Sequence, residues 1–204
     1  MTDYKTISVY DSLVDDYVDI TDKEPEDTIL LDFIAQLKPD DYVLDLGCGP
    51  AQSSALMRER GLRVDPVDAS AEMVEVANAR YDIGARQALF EQINTSNTYE
   101  GVWANYSLLH AAPEDFADIL QALHRALKPG GIFHLCMKVG SGSMRDKFGR
   151  FYSYYTQAEL CTYLEDAGFV VGAIELGETH GLAGSMEPWI AISSSPALSY
   201  KLSY

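Results

Sequence analysis

Two glycines and a carboxylate make one stretch of this sequence well suited to a nucleotide-like ligand. Asp45 lies in the apolar run 42–46, and Gly47 and Gly49 follow it. This pattern predicts a buried parallel strand that leads through a tight turn into a helix. Because glycine has no Cβ, the backbone of such a turn can adopt unusual dihedral angles and lie directly against a ligand. We therefore expect a ligand on the backbone of this turn.

A second carboxylate, Asp68, follows the next predicted strand, roughly 20 residues after Gly47. An acidic residue at this interval can accept hydrogen bonds from the hydroxyl groups of a ribose. The alternative is that Asp68 caps a helix and that the glycine pair is only a turn. The combination of strand, spacing and sheet pattern favours a ribose-bearing ligand.

The residues around the turn distinguish between two such ligands. A dinucleotide fingerprint needs a third glycine at position 52, but the sequence has Gln52 there, which weakens the interpretation as an NAD-dependent oxidoreductase. Asp45 would repel a pyrophosphate and attract a ligand that carries positive charge. S-adenosylmethionine has a sulfonium and an ammonium group, so it fits this turn better.

The elements that position these residues alternate between strands and helices, which predicts right-handed crossovers and a mostly parallel sheet. Periodic apolar residues predict one short amphipathic helix over 8–18. Later strands are expected at 86–90 and, as a continuous apolar run, at 132–139. Two closing strands are expected at 169–176 and 189–193.

Three segments resemble motifs of the class I S-adenosylmethionine-dependent methyltransferases. Residues 43–49 look like the first motif of that family, 67–73 like its ribose motif, and 126–131 like the turn before its fifth strand. The resemblance covers roughly residues 41–176. In addition, residues 10–17 look like the lid helix of members that act on small molecules. The resemblance implies methyl transfer from S-adenosylmethionine to a small-molecule acceptor.

The resemblance also implies a fold, an α/β Rossmann-like three-layer sandwich. Its seven-stranded sheet would be mostly parallel, with the last strand antiparallel and inserted beside the sixth. We expect a single domain over 1–204, with an N-terminal helical lid segment at 1–38 and a core at 41–195. An insertion rich in aromatic residues interrupts the core at 140–155.

Candidate cofactor contacts follow from the same resemblance. It implies that Asp45 and the Gly47 backbone hold the methionine end and that Asp68 holds the ribose. Ala51 stands where many members have a third glycine, and Leu89 replaces a frequent adenine-binding aspartate, which leaves the adenine to backbone groups and apolar packing. The full set of candidate contacts is Tyr10, Tyr17, Asp45, Gly47, Cys48, Gly49, Asp68, Ala69, Met73, Leu89, Phe90 and Asn105. Tyr10, Tyr17 and Met73 have an alternative role as ordinary buried residues.

The acceptor side of the site has fewer candidates. Methyl transfer from a sulfonium requires mainly alignment and exclusion of water, and a general base matters only for an acceptor that carries a proton. His110, whose ordinary pKa lies near neutrality, is the candidate catalytic base, with bracing of its loop as the alternative. Arg150 and Tyr152 are the candidate substrate contacts in the insertion, where the alternative is a solvated or core position.

The composition narrows the possible partners. A formal net charge of -16 disfavours nucleic acid and anionic membranes, since both would be repelled. The polar N-terminus and the lack of a long apolar run predict a cytoplasmic protein. Three widely spaced cysteines give no metal-ligand spacing, so we expect no metal site. A module that binds S-adenosylmethionine or S-adenosylhomocysteine without transfer activity is the alternative function, and the sequence carries no signal for an oligomeric state.

Overall fold

The structure, a computed structural model, describes residues 2–21, 27–180, 184 and 186–197 of the 204-residue chain. Its α-helices are α1 (Tyr4–Ser12), α2 (Val14–Thr21), α3 (Thr28–Ala35), α4 (Gln52–Glu59), α5 (Ala71–Tyr81), α6 (Pro113–Ala126) and α7 (Gln157–Asp166). Its strands are β1 (Tyr42–Leu46), β2 (Arg63–Asp68), β3 (Arg86–Gln87), β4 (Tyr99–Asn105), β5 (Leu127–Lys138), β6 (Gly142–Arg145), β7 (Phe151–Tyr154), β8 (Phe169–His180) and β9 (Met186–Pro196). Short 3-10 helices lie at Phe90–Gln92 and Leu108–His110.

Seven of these strands form one sheet in the order β3-β2-β1-β4-β5-β9-β8. Strands β1 to β5 pair in parallel, whereas β9 is antiparallel to both of its neighbours, β5 and β8. The last strand therefore lies inside the sheet, between the fifth strand and the strand before it in the chain. This confirms the predicted Rossmann-like sheet with its single antiparallel strand.

The sheet has an apolar core on each face. Successive side chains of a strand point to opposite faces. In β1, Val43 packs in one cluster with Phe33 of α3, while the next residue, Leu44, belongs to another cluster that contains Phe116 of α6. Helices thus cover both faces, and the carboxyl ends of the parallel strands are left as the open edge where a ligand can bind.

The N-terminal segment differs from its prediction. In place of one helix over 8–18 there are two, because the helix breaks at Leu13, which has φ -115° and ψ 18°. In a continuous helix Tyr10 and Tyr17 would lie about 10 Å apart along the axis. The break brings their ring centroids to 5.8 Å in an edge-to-face contact. Tyr10 and Tyr17 are therefore in contact across the break, and the apolar periodicity of the sequence did not predict this break.

Strand lengths also differ from the prediction. The strand predicted over 86–90 is only Arg86–Gln87, since the chain turns into a 3-10 helix in which the Leu89 N–H is bonded to the Gln92 side chain at 2.7 Å. Strand β5 begins at Leu127 because Leu127 pairs with Tyr99 before a register shift. The insertion at 140–155 contains an antiparallel hairpin, β6 and β7. The division of the chain into lid and core stays a prediction.

No helix in the described part of the chain is long and apolar enough to cross a membrane.

Candidate active site

A cavity of about 460 Å³ lies at the carboxyl ends of β1, β2 and β4. Residues of α1, α2 and α6 complete its wall. The candidate residues on its lining are Tyr10, Tyr17, Gly47, Gly49, Asp68, Ala69, Met73, Leu89, Phe90, Asn105 and His110. Four other candidates, Asp45, Cys48, Arg150 and Tyr152, do not belong to the lining. The structure thus brings most of the predicted residues to one place.

The glycine turn forms the floor of the cavity. Gly47 and Gly49 have φ angles of +78° and +51°, in the left-handed region that glycine adopts without strain. The N–H groups of Gly47 and Cys48 both donate to the Val67 carbonyl at 2.8 and 2.9 Å, which ties the turn to β2. A Cβ added to Gly47 would lie 2.4 Å from the Cβ of Ser107. No other residue type fits this position without displacement of its neighbours.

Asp68 connects two turns at the cavity. One carboxylate oxygen accepts from the Gly49 N–H and the other from the Ser70 N–H, both at 2.8 Å. Ser70 in turn caps α5 by accepting from the Met73 N–H at 3.1 Å. Burial raises the pKa of Asp68. Each oxygen keeps a further lone pair for a ligand hydroxyl group.

Asp45 lies behind the glycine turn, only 2% exposed. The Ser54 hydroxyl donates to its carboxylate at 2.6 Å, a contact that the sequence prediction missed. Burial raises the pKa of Asp45 to about 7, and the nearby charge of Asp68 acts in the same direction. A cation in the cavity would stabilise the ionised form of Asp45.

Ala51 occupies the position where many members of the resembled family have a third glycine. The residue is fully buried and has φ +67°, a left-handed conformation at the start of α4. For a residue with a Cβ this conformation costs about 1–2 kcal/mol. The chain therefore keeps the backbone geometry of a glycine turn while it tolerates strain at Ala51.

Tyr10 and His110 form a hydrogen-bonded pair on the lid side of the cavity. His110 Nδ1 lies 2.6 Å from the carbonyl oxygen of Phe151, which can only accept, so Nδ1 carries the proton. In this tautomer the Tyr10 hydroxyl donates to Nε2 at 2.9 Å. Burial lowers the pKa of His110 to about 4, so the ring is neutral at physiological pH. His110 thus connects Tyr10 to Phe151, and its lowered pKa makes Nε2 a weak base.

Arg150 and Tyr152 lie behind this pair. Arg150, 3% exposed, is bonded to Asp146 through Nε at 2.8 Å and Nη2 at 2.7 Å, and its Nη1 donates to the Tyr10 hydroxyl at 3.1 Å. The ring of Tyr152 lies 4.7 Å from the ring of His110. In this arrangement Arg150 and Tyr152 position Tyr10 and His110 and do not reach the cavity surface.

Sequence analysis did not single out two further polar residues. Thr6 accepts from the Phe151 N–H at 2.7 Å and thereby fixes α1 to β7. Ser107 is buried on the cavity wall just after β4. Its position two residues after Asn105, just beyond the carboxyl end of β4, is a signal that could have identified it.

Comparison with known proteins shows what residues 43–131 and the fold are similar to. A family model described as "Methyltransferase domain" matches residues 43–131, from β1 into the first residues of β5. The malonyl-[acyl-carrier protein] O-methyltransferase of Salmonella typhimurium is 33% identical over 94 residues, which cover 44% of this chain and 36% of that protein. Residues 43–131 thus match a methyltransferase domain, in agreement with the resemblance to the class I S-adenosylmethionine-dependent methyltransferases.

A second curated relative and a solved structure are also methyltransferases. The trans-aconitate 2-methyltransferase of an Azoarcus species is 37% identical over 111 residues, 52% of this chain and 43% of that protein. The chain thus matches less than half the length of either curated relative. The 1,6-didemethyltoxoflavin-N1-methyltransferase of Burkholderia thailandensis, solved with 1,6-didemethyltoxoflavin and S-adenosylhomocysteine, gives a TM-score of 0.77 at 22% identity over 95% of this chain and 88% of that one. At this identity the likeness shows the fold.

Proposed function

We propose that this protein binds S-adenosylmethionine and transfers its methyl group to a small-molecule acceptor. The observation that carries the proposal is Asp68, whose carboxylate holds the glycine turn and the start of α5 together on the cavity wall. This arrangement offers two carboxylate oxygens to a ribose and an open backbone to the rest of the ligand. It is the geometry that an adenosine with an amino-acid tail requires.

Residues on the cavity wall, together with Asp45 behind the glycine turn, suit each part of the cofactor. Asp45, with its raised pKa, suits an ammonium group, because a neighbouring cation favours the ionised carboxylate. Asp68 suits the ribose. Met73, Leu89 and Phe90 offer apolar surface to the adenine, and the Asn105 carbonyl is assigned to the ammonium group by resemblance.

The bound cofactor supplies a methyl group that its sulfonium already activates. The protein's task is to align the acceptor and exclude water. Tyr10 and Tyr17 cover the cavity from the lid side and serve this purpose. His110, the candidate base, lines the cavity together with Tyr10, but its Nε2 already accepts from the Tyr10 hydroxyl and burial lowers its pKa to about 4. The proposed role of this pair is therefore to align the acceptor more than to remove a proton from it.

Charge and composition favour a small acceptor in a reducing compartment. A net charge of -16 opposes nucleic acid as the substrate. The three cysteines are unpaired, as in a cytoplasmic protein. The relatives named above are methyltransferases of acceptors as different as malonyl-[acyl-carrier protein] and 1,6-didemethyltoxoflavin. The proposal therefore names the reaction and leaves the acceptor to a screen.

Isothermal titration with S-adenosylmethionine tests the cofactor assignment. We expect Asp68→Ala to weaken binding by about tenfold or more, because a charged acceptor of hydrogen bonds is lost. Asp65→Ala is the matched control: Asp65 lies on the same strand but pairs with Arg86 at 2.8 Å, away from the cavity lining. Its removal should leave the affinity unchanged. Equal affinities of the Asp68 variant and the unaltered chain would contradict the ribose assignment.

Release of S-adenosylhomocysteine in a screen of small-molecule acceptors tests the transfer reaction. We expect at least one acceptor class to give turnover above the background without acceptor. Tight cofactor binding without turnover on metabolite extracts would instead favour a binding module.

A further inference from the structure

The cavity continues beyond the part assigned to the cofactor. Its lining includes one face of α6, and none of the residues on that face is a cofactor candidate: Asp115, Asp118, Ile119, Ala122 and Arg125. Residues three, four and seven apart share a face of a helix. From Asp115 to Arg125 the helix extends about 15 Å. The part of the cavity along these five residues is the α6 arm.

Helix α1 forms the opposite wall of the α6 arm. Tyr10, at one end of α1, is bonded to His110, which lies shortly before the start of α6. Thr2, beyond the other end of α1, donates to the Glu91 side chain at 2.6 Å. Between these two contacts the cavity is lined by Asp3, Thr6 and Ile7. The α6 arm therefore begins beside Tyr10 and His110 and extends away from them along α6.

The floor of the α6 arm is apolar. The apolar residues that line the cavity in this region are Ile93, Ala111, Ala112, Ile119 and Ala122. Ile93 is 3% exposed and Ile119 is 9% exposed, so the floor belongs to the buried core of the protein. An apolar group of a ligand that covers this floor is removed from water, which favours binding.

The rim of the α6 arm carries the charged side chains. Glu91 and Asp118 are exposed and Asp115 is half-buried, whereas Arg125 is the one basic residue that the described part of α6 contributes to the lining. Exposed charges of this kind stay hydrated beside a ligand that lies on the floor. Because three carboxylates oppose one guanidinium in a chain with net charge -16, an anionic ligand is disfavoured here.

The geometry of methyl transfer connects the α6 arm to the acceptor. The nucleophilic atom of the acceptor bonds to the methyl carbon as the carbon–sulfur bond breaks, and S-adenosylhomocysteine leaves with the electron pair. In such an in-line displacement the acceptor lies on the side of the methyl carbon opposite the sulfur. The α6 arm belongs to the same cavity as the cofactor candidates and begins at Tyr10 and His110, the pair proposed to align the acceptor.

We propose that the α6 arm is the acceptor subsite and that it takes an elongated acceptor with an apolar, uncharged body. This inference rests on the proposed function. Ile119 supplies apolar contact to the acceptor body. Ala122 determines how far the acceptor extends, because a larger side chain at this position would close the arm.

Homologues of S-adenosylmethionine test the proposal without a known acceptor. In these probes an ethyl, butyl, hexyl or octyl group replaces the methyl group, so that the added chain extends from the methyl position towards the acceptor. We expect the affinity of the unaltered chain in isothermal titration to rise by about threefold for each added methylene that is buried. Affinity that stays level or falls as the chain lengthens would overturn the proposal.

Ala122→Phe places a bulky ring in the α6 arm. We expect this variant to bind S-adenosylmethionine as the unaltered chain does and to bind the octyl homologue about tenfold more weakly or worse. Gln121→Phe is the matched control, since Gln121 is the next residue of α6, exposed and absent from the cavity lining. Equal affinities of the two variants for the octyl homologue would show that the chain lies elsewhere.

Melting temperatures show whether both variants are folded. If Ala122→Phe does not fold, Ala122→Leu provides a smaller obstruction, and we expect it to weaken binding of the octyl homologue by about threefold or more. The length series on the unaltered chain tests the proposal independently of either variant.

A change of end group tests the preference for an uncharged body. A hexyl homologue whose chain ends in a carboxylate has to bring an anion past the acidic rim and onto the apolar floor. We expect it to bind about tenfold more weakly than the plain hexyl homologue. Equal or tighter binding would show that Arg125 holds an anionic acceptor, and the uncharged class would be wrong.

The same titrations distinguish this inference from the proposed function. If the unaltered chain binds neither S-adenosylmethionine nor its homologues, the proposed function fails and the inference with it. If it binds S-adenosylmethionine and the longer homologues show no gain in affinity, only the acceptor subsite fails.

Discussion

The two walls of the cavity are held by different kinds of contact. On the cofactor wall, strand ends meet through backbone groups: the Gly47 N–H donates to the Val67 carbonyl, and Asp68 accepts from two N–H groups. On the lid wall, α1 is held by side chains that reach distant parts of the chain, such as Tyr10 on His110 and Thr6 on Phe151. The cofactor wall therefore follows from the fold itself, whereas the lid wall can loosen while the fold persists.

Gly47→Ala should give the largest effect on the cofactor wall. The added Cβ would meet the Ser107 Cβ at 2.4 Å in a left-handed backbone conformation, and overpacking of this kind costs about 1–3 kcal/mol beyond the backbone strain. We expect a reduced free energy of unfolding in urea and loss of measurable S-adenosylmethionine binding.

Gly130→Ala is the control for this substitution. Gly130 has a similar φ of +79°, but a Cβ there would meet nothing within 4 Å. The free energy of unfolding of this variant should fall only by the backbone strain, about 1–2 kcal/mol, and cofactor binding should be kept. Equal losses of stability and of cofactor affinity in the two variants would show that Gly47 is required for its backbone conformation and not for its close contact with Ser107.

The contrast between the walls also explains what the sequence could predict. The turn after β1 and the position of Asp68 depend on residues close in sequence or on adjacent strands, so motif spacing revealed them. The break at Leu13 and the burial of Arg150 depend on contacts across the folded chain, among them the bond from Arg150 to Tyr10. No local pattern encodes such contacts. The sequence therefore predicted Arg150 as a substrate contact, whereas the structure buries it behind Tyr10, away from the cavity lining.

The pH dependence of cofactor binding should be the second largest effect. Asp45 has a pKa of about 7 in the folded protein, and a bound ammonium group favours its ionised form. We expect affinity for S-adenosylmethionine to rise with pH by up to about tenfold per unit below pH 7 and to level off above it. Asp68, whose pKa is also raised, contributes in the same direction. Isothermal titration at several pH values measures this change in affinity. Asp45→Asn should weaken binding and make the affinity depend less on pH.

The same pKa has the opposite consequence for stability. The folded protein keeps a proton on Asp45 that the unfolded chain releases above its ordinary pKa of 3.8. The contribution of Asp45 to the free energy of unfolding therefore falls as pH rises from about 4 to 7. Urea unfolding of Asp45→Asn, compared with the unaltered chain over this range, isolates that contribution. A difference that does not change with pH would contradict the raised pKa.

On the lid wall, a fall in pH should reduce stability mainly by protonating His110. Its pKa of about 4 lies below the ordinary value of 6.5, so the folded protein binds this proton more weakly than the unfolded chain. The stability that neutral His110 contributes is complete above pH 6.5 and is lost as the pH falls towards 4. Hydrogen exchange should show loss of protection in α1 over this range before loss in β1 and β4. Simultaneous loss in all three would show that the lid does not open separately.

Thr6→Ala should loosen the lid wall by a smaller amount. The substitution leaves the Phe151 N–H without its acceptor at 2.7 Å, a loss of about 1 kcal/mol for a partly buried bond. Because this contact joins α1 to β7 and not to the glycine turn, exchange should quicken in α1 by about fivefold and stay unchanged around Gly47 and Gly49. Thr21→Ala is the comparison on α2, where the Thr21 hydroxyl accepts from Gln52 of α4 at 2.7 Å. If Thr6→Ala also lowers cofactor affinity by about fivefold, the two walls are coupled. Cofactor binding then depends on the contacts that hold α1 over the cavity.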